Sequence, residues 1–359
     1  MPTSALPVKL HAFWADVGIG PYEKRYGGTP MKDGQIFATI VSILPCFLIA
    51  LWWGKKIIPW LRAMKAGQTI REIGPKWHNT KAGTPAMGGL VFIVTALIGT
   101  LALSIAFGTW TSALVFAFAL IFGAIGFLDD YFKVKKKQNL GLTASQKFLL
   151  QLAASALYLY ILYRIGHLSA SLWIPFSSVT WTIPIWIYIA FAVFVIVGTV
   201  NAVNLTDGID GLATGVTMPV MIFFLVTAIA VKKAELAIFP AALLGGLGGF
   251  LCYNFHPAKA FMGDTGSLFL GGAVCGLAFA LDMPLILILV GLVYIIETLS
   301  VIMQAVYFKL THGKRIFKMA PIHHHFEMCG WSEVKIWVVF VSVSIIMCAA
   351  AYLAIAPLR

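Results

Sequence analysis

The chain has 359 residues, 60% of them hydrophobic and only 11% charged, and carries a formal net charge of +12. A soluble domain averages roughly 25% charged residues, so a water-soluble globule of this length, which would still need a polar skin, is excluded, and lipid must solvate most of the chain. The positive excess fits either nucleic-acid binding or the loop lysines of a membrane protein, and its distribution along the chain decides between them.

Residues 1–33 carry His11, Asp16, Glu23, Lys24, Arg25 and Lys32 without the apolar centre of a cleavable signal peptide. They read as an N-terminal interfacial segment. A membrane-crossing helix needs about 20 mostly apolar residues. Such runs fall at 35–53, 87–107, 111–128, 147–165, 185–203, 212–231, 236–254, 267–281, 284–308 and 334–356. They predict ten spans in one all-α integral membrane domain covering 1–359. The run at 267–281 is short. The run at 284–308 is interrupted by Glu297, where a break or tilt is expected.

Ten spans place both termini on one side. The loops after spans 1, 3, 5, 7 and 9 hold 18 of the 26 Lys and Arg residues. The positive-inside rule makes these loops cytoplasmic and both termini periplasmic. Nucleic acid is therefore not expected as a partner; membrane lipid is. The same loops hold Asp129–Asp130, Asp207, Asp210, Asp264 and the run His323–His324–His325, so every group suited to chemistry falls on the cytoplasmic face. The opposite loops are short or, at 166–184, long and plain. No internal repeat of the kind found in many transporters is present. The cysteines at 46, 252, 275, 329 and 348 show neither zinc nor disulfide spacing and read as small apolar side chains.

Asp129 and Asp130 close an apolar helix, GAIGFLDDYFKVKKK. The ordinary reading is a solvated helix end answered by Lys133. Yet adjacent acids at a helix C-terminus repel each other and oppose the helix dipole, which points to a hard cation such as Mg²⁺ between them and a phosphate. Asn201–Gly211, NAVNLTDGIDG, reads as a turn entering a helix. If the segment is helical, its spacing puts Asp207 and Asp210 on one side. In Phe261–Ser267, FMGDTGS, glycines let a backbone approach a ligand closely and aim Asp264 at it. The alternative is an N-cap aspartate, and both can hold. In Met319–Glu327, MAPIHHHFE, three successive histidines cannot all face one ion from a regular element, so a three-histidine metal site is not expected. Donors to phosphate or a uracil-type group fit better than a plain polar loop. Glu297 reads as a packing group or part of a groove, since an intramembrane carboxylate turns away from lipid. Lys76, Lys81, Lys133 and Lys147 share the acids' face. No Walker-type phosphate loop is present, which argues against ATP-driven transport.

GFLDDYFK, NAVNLTDGIDGL, FMGDTGS and APIHHHFE, in this order, resemble the signature blocks of the phospho-N-acetylmuramoyl-pentapeptide transferases, a branch of the polyprenyl-phosphate N-acetylhexosamine-1-phosphate transferases. The resemblance runs from about residue 35 to the C-terminus, and the triple histidine points to the muramoyl-pentapeptide branch. The chain departs from the pattern at Ala86, where relatives have threonine in TPTMGG, and at Trp77–His78, where they have a serine–histidine pair. The resemblance implies a reaction of UDP-N-acetylmuramoyl-pentapeptide with undecaprenyl phosphate that needs Mg²⁺. It implies catalytic and metal-binding roles for Asp264, Asp129 and Asp130. It implies substrate contacts from Lys76, Lys133, Lys147, Asn201, Asn204, Asp207, Asp210, Asn254, Phe261, His323, His324 and His325. A groove including part of the ninth span would hold the prenyl chain, and a homodimer would fit. Two alternatives stand beside this reading. One is a related transferase whose donor carries no peptide. The other is an ion-coupled transporter, suggested by the span count and Glu297 but not by acids gathered at one boundary.

Overall fold

The computed structural model of the chain describes residues 31–64, 83–136, 141–166 and 168–358. A short helix α1 (Asp33–Val41) continues at Ser42 into α2 (Ile43–Ala63). There follow α3 (Leu90–Phe107), α4 (Thr111–Lys136), α5 (Ala144–Arg164), a small antiparallel hairpin of β1 (Ser171–Trp173) and β2 (Thr180–Thr182), α6 (Ile185–Thr206) and α7 (Leu212–Ala230). A 3₁₀ turn enters α8 (Ile238–Asn254), followed by α9 (Gly263–Ala280), the short α10 (Leu287–Val290), α11 (Leu292–Leu310), α12 (Ile322–Met328) and α13 (Glu333–Ala354).

Nine helical stretches among the described residues are long and apolar enough to cross a membrane. Ten were expected. The run at 147–165 forms α5, less apolar than these nine, but its 21 residues run alongside α9, from Lys147 paired with Asp264 at one end to Tyr158 bonded to Gly276 towards the other, so it crosses with them as the tenth. It starts cleanly because Thr143 and Gln146 cap each other across its first turn. The break expected at Glu297 lies instead at Gly291, between α10 and α11. Glu297 is paired inside the protein, so the helix passes through it intact. The plain loop 166–184 contains the β1–β2 hairpin, with Leu172 opposite Trp181.

α9 is the centre of the bundle: every residue in it except Asp264 is buried. It packs on α4 and α6, while α8 packs on α2 and α3, and α13 on α7. The α4–α9 contact is close because small residues line it. A Cβ at Gly126 would run into the Asp264 carbonyl oxygen, and one at Gly272 would lie 3.0 Å from Ala119 Cα. One at Gly276 would lie 2.9 Å from Phe118 and Val115. Within a bilayer, helices associate through such packing and a few polar contacts, because lipid gives no hydrophobic drive between them. Here Tyr158 donates to the Gly276 carbonyl at 2.8 Å, and Ser344 donates to the Val216 carbonyl at 2.9 Å.

The packing predicts that Gly126→Val forces α4 off α9 and costs about 1–3 kcal/mol of stability. Gly198→Ala, a position with nothing within 4 Å of the added methyl, should be neutral. Melting curves of the two variants in detergent test this, and equal melting temperatures would contradict it.

Candidate active site

The close α4–α9 seam ends at a cluster of carboxylates. Asp129 and Asp130 lie in the last turns of α4, and Asp264 lies in the first turn of α9. α9 starts at Gly263, before the expected start near Ser267, and this puts Asp264 inside the helix rather than in a loop. Asp129, Asp130 and Asp264 each offer one oxygen within 4.8 Å of the others.

The three acids have different surroundings. Asp130 is buried and accepts bonds from the first-turn amides of α9: Thr265 N at 2.9 Å and Asp264 N at 3.3 Å, with Thr265 Oγ1 at 2.7 Å. These amides have no partner within their own helix, so Asp130 caps α9 from a neighbouring helix. Gly263 leaves room for it, since a Cβ there would lie 2.6 Å from Asp130 Oδ2. Asp129 accepts Leu142 N at 2.8 Å through Oδ1 and pairs with Lys133 at 2.5 Å through Oδ2. Asp264 Oδ2 pairs with Lys133 at 2.9 Å and Lys147 at 3.0 Å, and its Oδ1 accepts Asn204 Nδ2 at 2.8 Å. The Asn204 amide also reaches Ser267 Oγ at 2.7 Å.

Other residues singled out in the sequence surround this cluster. Asn201 turns its amide to Gln151 of α5, at 2.7 Å. Asn254 is buried with both ends of its amide in use: it accepts Thr214 Oγ1 at 2.7 Å and donates to the Ala260 carbonyl at 3.0 Å. Phe261 is partly buried and exchanges backbone bonds with the segment before α3: Phe261 N to the Pro85 carbonyl at 2.9 Å, and Gly88 N to the Phe261 carbonyl at 2.8 Å. Gly89 N adds a bond to the Met262 carbonyl at 3.1 Å. Ala86 is buried and clusters with Leu61 and Met87 rather than facing the acids. Asp210 Oδ2 accepts Ala258 N at 2.9 Å and lies 2.9 Å from His256 Nδ1, while Glu333 accepts Asp210 N at 3.0 Å. The three histidines take three directions. His323 is wholly buried against Glu297, His324 lies 2.6 Å from Glu327, and His325 accepts Lys318 N at 3.1 Å. Lys76 and Trp77–His78 lie outside the described residues.

Gln151, Ser267, His256 and Glu333 escaped the sequence reading. Each is a single polar residue whose partner is distant in the chain, so no local pattern marks it. The signal that was available is the cost of a lone polar group in an apolar run, which predicts a partner without identifying it.

An acid cluster at one end of a bundle of membrane-crossing helices, braced by lysines, defines a membrane protein with a site suited to a hard cation. Residues 111–282 match Glycosyl transferase family 4, and residues 81–93 match the phospho-N-acetylmuramoyl-pentapeptide-transferase signature 1. The chain is 50% identical over 319 residues to the phospho-N-acetylmuramoyl-pentapeptide-transferase of Clostridium acetobutylicum, covering 88% of this chain and 98% of that one. It is 48% identical over 314 residues to that of Carboxydothermus hydrogenoformans, covering 86% and 96%. It is 44% identical over 314 residues to that of Listeria monocytogenes, covering 87% and 96%. The chain belongs to the phospho-N-acetylmuramoyl-pentapeptide-transferase family.

Asp207, just beyond the end of α6, generates a prediction. Burial, and then the negative charges of Asp264, Asp130 and Asp210, push its carboxyl well above the usual carboxylate range. Folding therefore favours the protonated form. The stability from this group is full below its unfolded value of about 3.9 and is lost as pH rises through the higher folded value. Asp207→Asn should remove that loss. With EDTA present, its melting temperature should fall less than that of the unaltered protein as pH rises from 4 to 8. Parallel curves would contradict the assignment.

Proposed function

We propose that the chain transfers phospho-N-acetylmuramoyl-pentapeptide from UDP-N-acetylmuramoyl-pentapeptide to undecaprenyl phosphate, forming lipid I and UMP, at the cytoplasmic face of a bacterial inner membrane. The observation that carries this reading is the meeting of Asp129, Asp130 and Asp264 with Lys133 and Lys147 at one end of the bundle, in a chain of this family. The concentration of Lys and Arg in the loops on that side supports its assignment to the cytoplasm.

The donor set is all hard oxygen, which suits Mg²⁺. Asp264 would hold the ion with help from Asp130, which also keeps the N-terminus of α9 in place. When bound, the ion supplies charge neutralisation on the donor diphosphate and the leaving UMP. The protein's own groups do the rest. Lys133 and Lys147, both paired with Asp264, are placed to meet the phosphates of an anionic donor. Asp129, fixed by Leu142 N, orients the acceptor phosphate and takes its proton if it carries one. An acceptor oxygen then forms the new bond to the sugar-linked phosphorus as the bond to UMP breaks, directly and without a phosphorylated carboxylate. Such a reaction depends on in-line placement and charge compensation more than on covalent catalysis. The turn at Asn204, Asp207 and Asp210, with Phe261, lines the nucleotide side, and His324 and His325 the diphosphate or sugar side. The outward apolar face of α11, including Leu299, Ile302 and Met303, lies along the prenyl chain.

Purified protein should release UMP from UDP-N-acetylmuramoyl-pentapeptide only when undecaprenyl phosphate and Mg²⁺ are both present. EDTA should abolish release, and Asp264→Asn should lower kcat on the order of 100-fold or more, the scale set by loss of one electrostatic stabiliser. Full activity with unchanged Mg²⁺ dependence in Asp264→Asn would overturn the metal assignment. A phosphorylated protein trapped with donor alone, and lost in Asp129→Asn, would replace direct attack with a covalent route. Turnover of UDP-N-acetylglucosamine instead would move the chain to the peptide-free branch.

A further inference from the structure

Three segments distant in sequence meet at His323: helix α11, the histidine helix α12, and the turn between α6 and α7. His323 and Glu297 are both 0% exposed, and His323 Nδ1 lies 2.9 Å from Glu297 Oε2. A carboxylate inside a membrane protein is costly unless paired, so this pair is a strong local constraint. It ties α12 to a helix whose other face is apolar and exposed at Leu299, Ile302 and Met303.

The far edge of the imidazole is closed. His323 Nε2 is buried and has no hydrogen-bond partner. A Cβ on Gly208 would collide with Nε2 and lie 2.5 Å from Cε1. Gly208 is not among the positive-φ glycines, so its backbone conformation does not demand glycine. The space taken by His323 does. Neither nitrogen is open to solvent: one is bonded to Glu297 and the other lies against Gly208.

We propose that His323 is a positioning residue for the transfer reaction: fixed by Glu297 at one end and seated on Gly208 at the other, it sets the separation between α12 and the 207–210 turn. That separation matters on both sides. The turn begins three residues after Asn204, a residue in the last turn of α6 that donates to Asp264. The ring of His324 lies against that of His323, with centroids 4.1 Å apart. The inference rests on the reaction proposed above and gives His323 a role in it other than contact with the donor.

Steric suppression tests it. Gly208→Ala alone should lower kcat on the order of 100-fold, the scale of a misplacement of about 1 Å at a reacting centre, with KM for UDP-N-acetylmuramoyl-pentapeptide little changed. His323→Asn retains an N–H donor where Nδ1 stood but lacks the Nε2–Cε1 edge. It should stay within about tenfold of the unaltered kcat, whereas His323→Ala should fall well below it. The double variant Gly208→Ala/His323→Asn should recover to near the level of His323→Asn. Melting temperatures of all four variants, and their elution as single species, separate misplacement from failure to fold. If the unaltered protein releases no UMP, the reaction itself is wrong. If it does, but the double variant stays as low as Gly208→Ala, or Gly208→Ala keeps full activity, the positioning role is overturned.

Discussion

The approach of α4 to α9 governs where the chemistry can be. Two helices carrying ordinary side chains pack with axes 8–10 Å apart. Gly126, Gly272 and Gly276 remove the side chains that would keep these two at that distance. The cost is the weaker helix propensity of glycine, which matters less where the alternative is an unsatisfied backbone in lipid. At the end of the seam Asp129 and Asp130 arrive on one helix and Asp264 on the other, near enough to share a cation. Neither helix alone could assemble that set.

The electrostatics follow from the same geometry. Asp129 and Asp130, in the last two turns of α4, lie towards the negative end of their own helix dipole. The positive end of α9 points at them, and Asp130 accepts its free amides. Lys133 and Lys147 supply the remaining compensation by closing on Asp264. The acids are thus held together by two cationic side chains and the amides of one helix N-terminus.

Much of this was legible in the sequence. Apolar runs marked the helices because lipid demands about 20 apolar residues per crossing, and lysine asymmetry gathered the acids on one side before any relative was considered. The acids, Lys133 and Lys147 meet as their shared face implied. What the sequence concealed were pairings across long separations. Lys147 meets Asp264 across 117 residues, and Thr214 meets Asn254 across 40. Asn201 and Asn254, read as nucleotide contacts, engage protein groups that no local spacing indicates. Glycines inside apolar runs carry no side chain from which to infer a partner, so the seam itself was invisible. Glu297 looked like a helix breaker because its partner, His323, lies in a different motif.

The ladder joining residues 85–89 to 261–262 is made of main-chain bonds, and this divides the tolerance of that segment. A side chain can be exchanged at 86 without breaking a rung, provided that its volume suits the pocket formed with Leu61 and Met87. Exchange of a larger side chain for Ala86 is therefore a change in core filling, with the rungs left intact. At 88 and 89 the reverse holds: any Cβ would strike the Phe261 carbonyl or the backbone of Gly266. Drift in this segment is thus channelled into its apolar positions, while its two adjacent glycines are barred from change by the strand of chain that delivers Asp264.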